Sequence, residues 1–191
     1  MKIGVLAAQG AFIEHEKALQ RIGAEVIEVR LSEHLEDLDG LIIPGGESTT
    51  IGKVARRWGL IEPIQAFAQT GRPIWGTCAG MILMAKQVMD GAPEQPTLDL
   101  MDIAVRRNAF GRQVDSFEAD LDVRVLGAEP FHAVFIRAPL IEHVGEDVEA
   151  LAQLEDGTIV AAQQGHLLTT SFHPELTEDD RFHRYFLELS D

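Results

Sequence analysis

Positive charge is in short supply in this sequence: 16 Lys and Arg stand against 31 Asp and Glu, for a formal charge of −15. Nucleic acid or an anionic membrane would be repelled by such a chain, so neither is expected as a partner. The global sign leaves the substrate open, because the field inside a pocket can differ from it. Long apolar runs are also missing. None approaches the ~20 residues needed to cross a bilayer, and Met1-Lys2-Ile3-Gly4-Val5 reads as the start of a strand, so a cleavable signal is not expected. Cysteine occurs once, as Cys78. No internal disulfide can form, and a cytoplasmic location is the expectation. Internal repeats and low-complexity segments are absent as well. What remains, 191 residues with 46% hydrophobic and 25% charged residues, fits one soluble globular domain over residues 1–191 and is too short for two of ordinary size.

The first half alternates buried strands with helices. Strands are expected over Lys2 to Ala8, Ala24 to Val29 and Leu41 to Ile43, and over a run that opens with Pro73 and closes at Gly76. Helices are expected over Ala11 to Ile22, from the end of a Pro44–Thr50 glycine loop to Gly59, from Pro63 onward and over Met81 to Met89, with a short turn from Ser32 through Leu38. Strand and helix alternating at this spacing imply βαβ crossovers and a parallel sheet covered on both faces. After a polar loop from Asp90 to Asp99 come shorter strands: Ile103 to Arg106, Phe117 to Val125, Ala133 to Arg137, Val148 to Leu154 and Thr158 to Ala162. Glu155-Asp156-Gly157 joins the last two as a hairpin. A closing helix starts near Thr177 and carries Phe182, Tyr185, Phe186 and Leu189 on one face. The expected architecture is a three-layer α/β domain on a mixed sheet.

Gly76-Thr77-Cys78-Ala79-Gly80 falls at one of the strand-to-helix junctions. The Gly-x-Cys-x-Gly frame is the thiol form of the nucleophile elbow: glycines allow a sharp turn, the central side chain rises above the sheet edge, and the next N–H is free to bind an oxyanion. The positive end of the following helix favours thiolate over thiol. A buried core cysteine is the plainer alternative.

A nucleophilic cysteine needs a base, and the base needs a partner to fix its tautomer. Of seven histidines, His15, His34 and His183 sit in charged helical or capping contexts where a solvated ring is the default. His132, His143 and His166 lie near turns without an acid two residues on. In Ser171-Phe172-His173-Pro174-Glu175, by contrast, Glu175 can reach the ring of His173 if the segment is extended. The two oxyanion donors expected are the N–H groups of Ala79 and of the Gly45-Gly46 loop, with Gly46 the candidate. Pro44-Gly45-Gly46-Glu47-Ser48 could instead be an ordinary strand-to-helix turn capped by Ser48, or a phosphate cradle, although it lacks the lysine of a P-loop.

These segments resemble the class-I, or triad, glutamine amidotransferases, and within them the glutaminases of two-component pyridoxal 5′-phosphate synthases. Gln9-Gly10, Pro44-Gly45-Gly46-Glu47-Ser48-Thr49, the Cys78 elbow and Ser171-Phe172-His173-Pro174-Glu175-Leu176-Thr177-Glu178 carry the resemblance to the class. The narrower likeness rests on Arg107-Asn108-Ala109-Phe110-Gly111-Arg112-Gln113, running on to Glu118, and on Phe135-Ile136-Arg137-Ala138-Pro139. The resemblance implies a flavodoxin-like fold and hydrolysis of L-glutamine through a thioester on Cys78, with His173 moving the proton and Glu175 orienting it. It also implies a glutamine site of Gly46, Glu47, Ser48, Arg107, Ile136 and Arg137. Neither cofactor nor metal is implied. A guanidinium that forks the substrate carboxylate suits Arg107; a surface ion pair is the alternative, and only the position before Asn108 distinguishes Arg107 from Arg106 and Arg112. The released ammonia implies a separate synthase subunit in a large mixed assembly, with slow turnover by this chain alone; the alternatives are the glutaminase of another synthase, such as imidazole glycerol phosphate synthase, or a cysteine hydrolase on the same fold. Ala7-Ala8 before Gln9 departs from the usual larger apolar residue, and nothing carries over to Asp90–Asp99.

Overall fold

A computed structural model describes residues 1–91, 95–107 and 116–190. The strands are β1 (Lys2–Leu6), β2 (Glu25–Val29), β3 (Gly40–Ile43), β4 (Ile74–Thr77), β5 (Ala85–Val88), β6 (Met101–Arg106), β7 (Ser116–Leu121), β8 (Phe131–Ile136), β9 (Leu140–Val144), β10 (Glu149–Gln153), β11 (Ile159–Gln164) and β12 (Leu167–Thr170). The helices are α1 (Phe12–Arg21), α2 (Ser48–Arg57), α3 (Ile61–Gln69), α4 (Ala79–Met84) and α5 (Arg181–Glu188). Five strands pair in parallel in the order β2-β1-β3-β4-β12, the flavodoxin-like order. The sheet then turns antiparallel through β11, β9 and β6, with β5 parallel at the far edge and β10 paired to β11. β7 and β8 form a separate antiparallel ribbon.

Alternation along the central strands builds a core on each face of the sheet. Leu41 and Ile43 enter one core, with α2, α3 and α4, while Ile42 enters the other, with Leu19 of α1 and Phe182 and Phe186 of α5. Trp75 lies in the second core, its ring 6.1 Å from Phe182 and 5.7 Å from Phe186. The parallel strands end on one edge. That edge gathers Gln9-Gly10 after β1, the Gly45-Gly46 loop after β3, Cys78 after β4 and His173 after β12.

Several expectations change. The helix expected over Met81 to Met89 stops at Met84, and the chain continues as β5. The carbonyls of Leu83 and Met84, which a longer helix would have used, accept the N–H groups of Leu98 and Leu100 at 2.7 and 3.0 Å. β5, β9 and β12 were not expected as strands, and β7 ends at Leu121 because residues Arg124–Leu126 wind into a 3₁₀ turn. α3 begins at Ile61, which leaves Pro63 in the first turn, where no N–H is needed. α5 begins at Arg181; the hydroxyl of Thr177 donates to Pro174 O, so the expected capping box does not form. Asn108 to Asp115 and Pro93 lie outside the described residues.

Candidate active site

Cys78 takes φ +48° and ψ −102°, a strained conformation for a residue with a side chain. The bend is therefore made by the cysteine itself. Gly76 and Gly80 are absent from the positive-φ glycines and serve close packing. A Cβ on Gly80 would stand 2.0 Å from Ile43 O, and one on Gly76 2.6 Å from the backbone of Gly80, so helix α4 lies against β3 and β4 at a distance only glycine permits. The N–H of Cys78 donates to Thr170 O at 2.7 Å, which ties the turn to β12. With six residues, α4 also supplies a weaker dipole than the longer helix expected from sequence.

His173 reaches the same point from the end of β12. Its N–H donates to Val134 O at 2.8 Å, and its side chain is nearly buried. Residues Pro174–Leu176 form a 3₁₀ turn, so the expected extended geometry is replaced by a tighter one that still brings Glu175 Oε1 to 2.7 Å from His173 Nδ1. Because Nδ1 is committed to Glu175, the other ring nitrogen faces Cys78. Burial works to lower the His173 pKa, but hydrogen bonds to Cys78 and Glu175 outweigh it and push it up to about 10. Burial likewise works to raise Glu175, and the nearby His15 and His173 hold it below the usual carboxylate range. The Cys78 sulfur also lies 3.9 Å from Ile136 O.

A cavity of about 310 Å³ opens over the sulfur and is lined by Gly46, Glu47, Ser48, Cys78, Ala79, Arg107, Ile136, Arg137 and His173. All six residues expected for glutamine binding line it; Glu175, expected as the partner of His173, lies behind that ring. Glu47 caps α2: its carboxylate accepts the N–H groups of Thr49 and Thr50 at 3.0 and 2.7 Å, so the cap is Glu47 and not Ser48. Gly45 N–H donates to Thr77 Oγ1 at 3.0 Å, which leaves Gly46 as the exposed donor of the loop. Arg137 takes φ +44° at the rim.

Two groups were not expected as site residues from the sequence, one lining the cavity and one bonded to residues that line it. Gln9 Oε1 accepts the N–H of Glu47 at 2.9 Å and lines the cavity; its position at the end of β1, beside the point where strand order reverses, was the available signal. Gln95 receives Arg107 Nη1 at 2.8 Å and donates to Ser48 Oγ at 3.2 Å, although the 90–99 loop carried no pattern that pointed to it. Arg107 also lies 3.4 Å from Glu47 Oε1. His15 and His183, expected at the surface, are fully buried. Among the described residues no group of three or more His, Cys, Asp or Glu side chains is placed to hold a metal.

The flavodoxin-like sheet with a cysteine beside a His-carboxylate pair at its edge is an arrangement that fits a glutamine amidotransferase. A crystal structure described as glutamine amidotransferase superposes with a TM-score of 0.92 at 56% identity, over 98% of both chains. The sequence pattern of the SNO glutamine amidotransferase family matches residues 5–190, and the chain belongs to that family. It is 66% identical to the pyridoxal 5′-phosphate synthase subunit PdxT of Herpetosiphon aurantiacus, over 99% of this chain and all of that one. It is 59% identical to the protein of the same name from Roseiflexus castenholzii, over 99% and 100% of the two chains.

Proposed function

We propose that this chain is the glutaminase of a two-component pyridoxal 5′-phosphate synthase, with Cys78, His173 and Glu175 as its triad. The observation that carries the reading is the imidazole of His173, held between the sulfur and a buried carboxylate at 2.7 Å, at the floor of a cleft lined by Arg107. The sulfur of Cys78 attacks the side-chain carbonyl carbon of glutamine, and the charge that develops on oxygen is received by the N–H groups of Gly46 and Ala79. Imidazolium at position 173 then gives its proton to the departing nitrogen, and ammonia leaves a glutamyl thioester. Water, deprotonated by the now neutral His173, attacks the thioester; glutamate departs and the thiolate–imidazolium pair is restored. Glu175 stays ionised throughout, stabilising the imidazolium and fixing which nitrogen faces sulfur. Arg107 forks the substrate α-carboxylate, with Glu47, Ser48 and the Ile136-Arg137 backbone completing the site.

The chain works as one domain in the cytoplasm, where a lone thiol stays reduced, and passes ammonia to a synthase subunit within a hetero-oligomer. That subunit combines ammonia with ribose 5-phosphate and glyceraldehyde 3-phosphate. The test is glutamate release with and without the synthase, with Cys78→Ala as control. Release that rises on adding the synthase and vanishes in Cys78→Ala supports the reading. Release that survives Cys78→Ala overturns the mechanism, and full turnover unaltered by the synthase overturns the partnership.

A further inference from the structure

Behind the reacting groups lies a second layer of buried polar side chains that the glutaminase reaction does not itself call for. Glu175 uses Oε1 to receive His173, whereas Oε2 is buried and has no well-formed hydrogen bond among the described residues. An ionised carboxylate out of water needs donors on both oxygens, or the charge is costly to keep. His15 of α1 is the group placed to supply one. Its Nε2 lies 3.4 Å from Glu175 Oε2 and 3.2 Å from Thr77 Oγ1, and its Nδ1 lies 3.1 Å from His183 Nε2. The ring is fully buried and held edge-on to Trp75, with centroids 5.6 Å apart.

The proton positions follow from the neighbours. A bare Nε2 on His15 would set its lone pair against a carboxylate oxygen, whereas an Nε2–H sends a donor toward both Oε2 and Thr77 Oγ1. Nδ1 of His15 is then an acceptor and receives the N–H of His183 Nε2. Burial lowers the pKa of His15 and of His183, which favours the neutral form of both rings over the charged one. A neutral donor leaves the negative charge of Glu175 intact for the imidazolium of His173.

We propose that His15 is a positioning residue for the triad: its Nε2–H, aligned by His183 and Thr77, fixes the plane of the Glu175 carboxylate so that Oε1 stays on His173 Nδ1. The proposal rests on the glutaminase reading above. It acts through Glu175, and His15 does not touch substrate. The experiment compares His15→Leu, which keeps bulk and removes the donor, with His15→Gln, whose amide N–H extends to about the position of Nε2. Each is assayed as the complex with the synthase for kcat, KM for glutamine and melting temperature, and by proton NMR for the low-field resonance of His173 Nδ1–H, assigned by its loss in Glu175→Gln.

The expected result is a fall in kcat of about tenfold to a hundredfold for His15→Leu, the range for a lost hydrogen bond to a charged group, with KM changed less than about twofold. The His173 resonance moves upfield or broadens in His15→Leu, and His15→Gln recovers both signals. A lowered melting temperature with wild-type kcat and resonance would make His15 a packing residue only and overturn the proposal. Equal impairment of the Leu and Gln variants with an unmoved resonance would do the same. If His15→Leu does not fold, His15→Asn, whose amide falls short of Oε2, takes its place against His15→Gln. Should the wild-type complex release no glutamate, the glutaminase reading fails, while the resonance still decides what His15 does.

Discussion

The strain at Cys78 can be measured by comparing two variants that lack its sulfur. With φ +48° and ψ −102°, Cys78 lies outside even the left-handed well that side-chain residues occasionally visit. The cost for a residue with a Cβ is therefore taken at the upper end of the usual range, about 3 kcal/mol. Cys78→Ala removes the sulfur and keeps the Cβ, hence the strain. Cys78→Gly removes the sulfur and relieves it. Glycine gives back about 0.5–1 kcal/mol through the greater freedom of its unfolded chain, and the lost methyl group gives back about 0.8 kcal/mol of burial. The remainder leaves Cys78→Gly more stable than Cys78→Ala by about 1–2 kcal/mol, or roughly 3–6 °C in melting temperature for a chain of this size. Thermal denaturation followed by circular dichroism reads the difference, and glutamate release confirms that both are inactive. A Cys78→Gly protein that melts at or below Cys78→Ala would show that the turn is unstrained and that the elbow stores nothing.

Gly80→Ala places a methyl group 2.0 Å from Ile43 O, a backbone atom that cannot swing aside; a loss of about 1–3 kcal/mol is expected in denaturant unfolding, together with slower alkylation of Cys78 by a glutamine-analogue electrophile. Arg107→Lys loses the planar fork and the geometry of its contact with Gln95; KM for glutamine should rise about tenfold or more with kcat changed only a few-fold, in steady-state glutamate release with the synthase present. His183 is buried with its pKa held well below the ordinary 6.5, so the unfolded chain binds the extra proton and stability falls as pH drops below about 6.5. His183→Phe should flatten the fall in melting temperature between pH 7.5 and pH 5.5, and an unchanged slope would assign that acid sensitivity elsewhere. On the alkaline side His173 has the opposite sign: its stabilising charge is complete below 6.5 and is lost as pH climbs through about 10, so His173→Gln should reduce the loss of stability in that window.

Much of the candidate site's geometry could be read because its parts are local. Only Pro174 separates His173 from Glu175, and any tight backbone path brings them together; the 3₁₀ turn at Pro174–Leu176 differs from the extended path expected, yet the contact survives. The same holds for the strand-to-helix turn at Cys78, although its glycines were expected to serve bending and serve close packing instead, Gly80 against Ile43 and Gly76 against Gly80. Helix ends fared worse. The stop of α4 at Met84 depends on Leu98 and Leu100 arriving to use its carbonyls, and nothing within Met81 to Met89 announces that.

The sequence alone determined the parallel α/β core, the thiol at its turn and the histidine with its neighbouring acid, because apolar period and short spacing act through the backbone within a few residues. Tertiary structure decided that Gln9 joins the cleft, that Gln95 holds Arg107 and Ser48 beside it, and that His15 and His183 are buried behind Glu175. Those contacts join segments far apart in the chain, and their residues are polar ones that favour water. Only the strand order, which sets β1, β3, β4 and β12 side by side and seals α1 and α5 over Trp75, makes burial with partners more favourable than exposure.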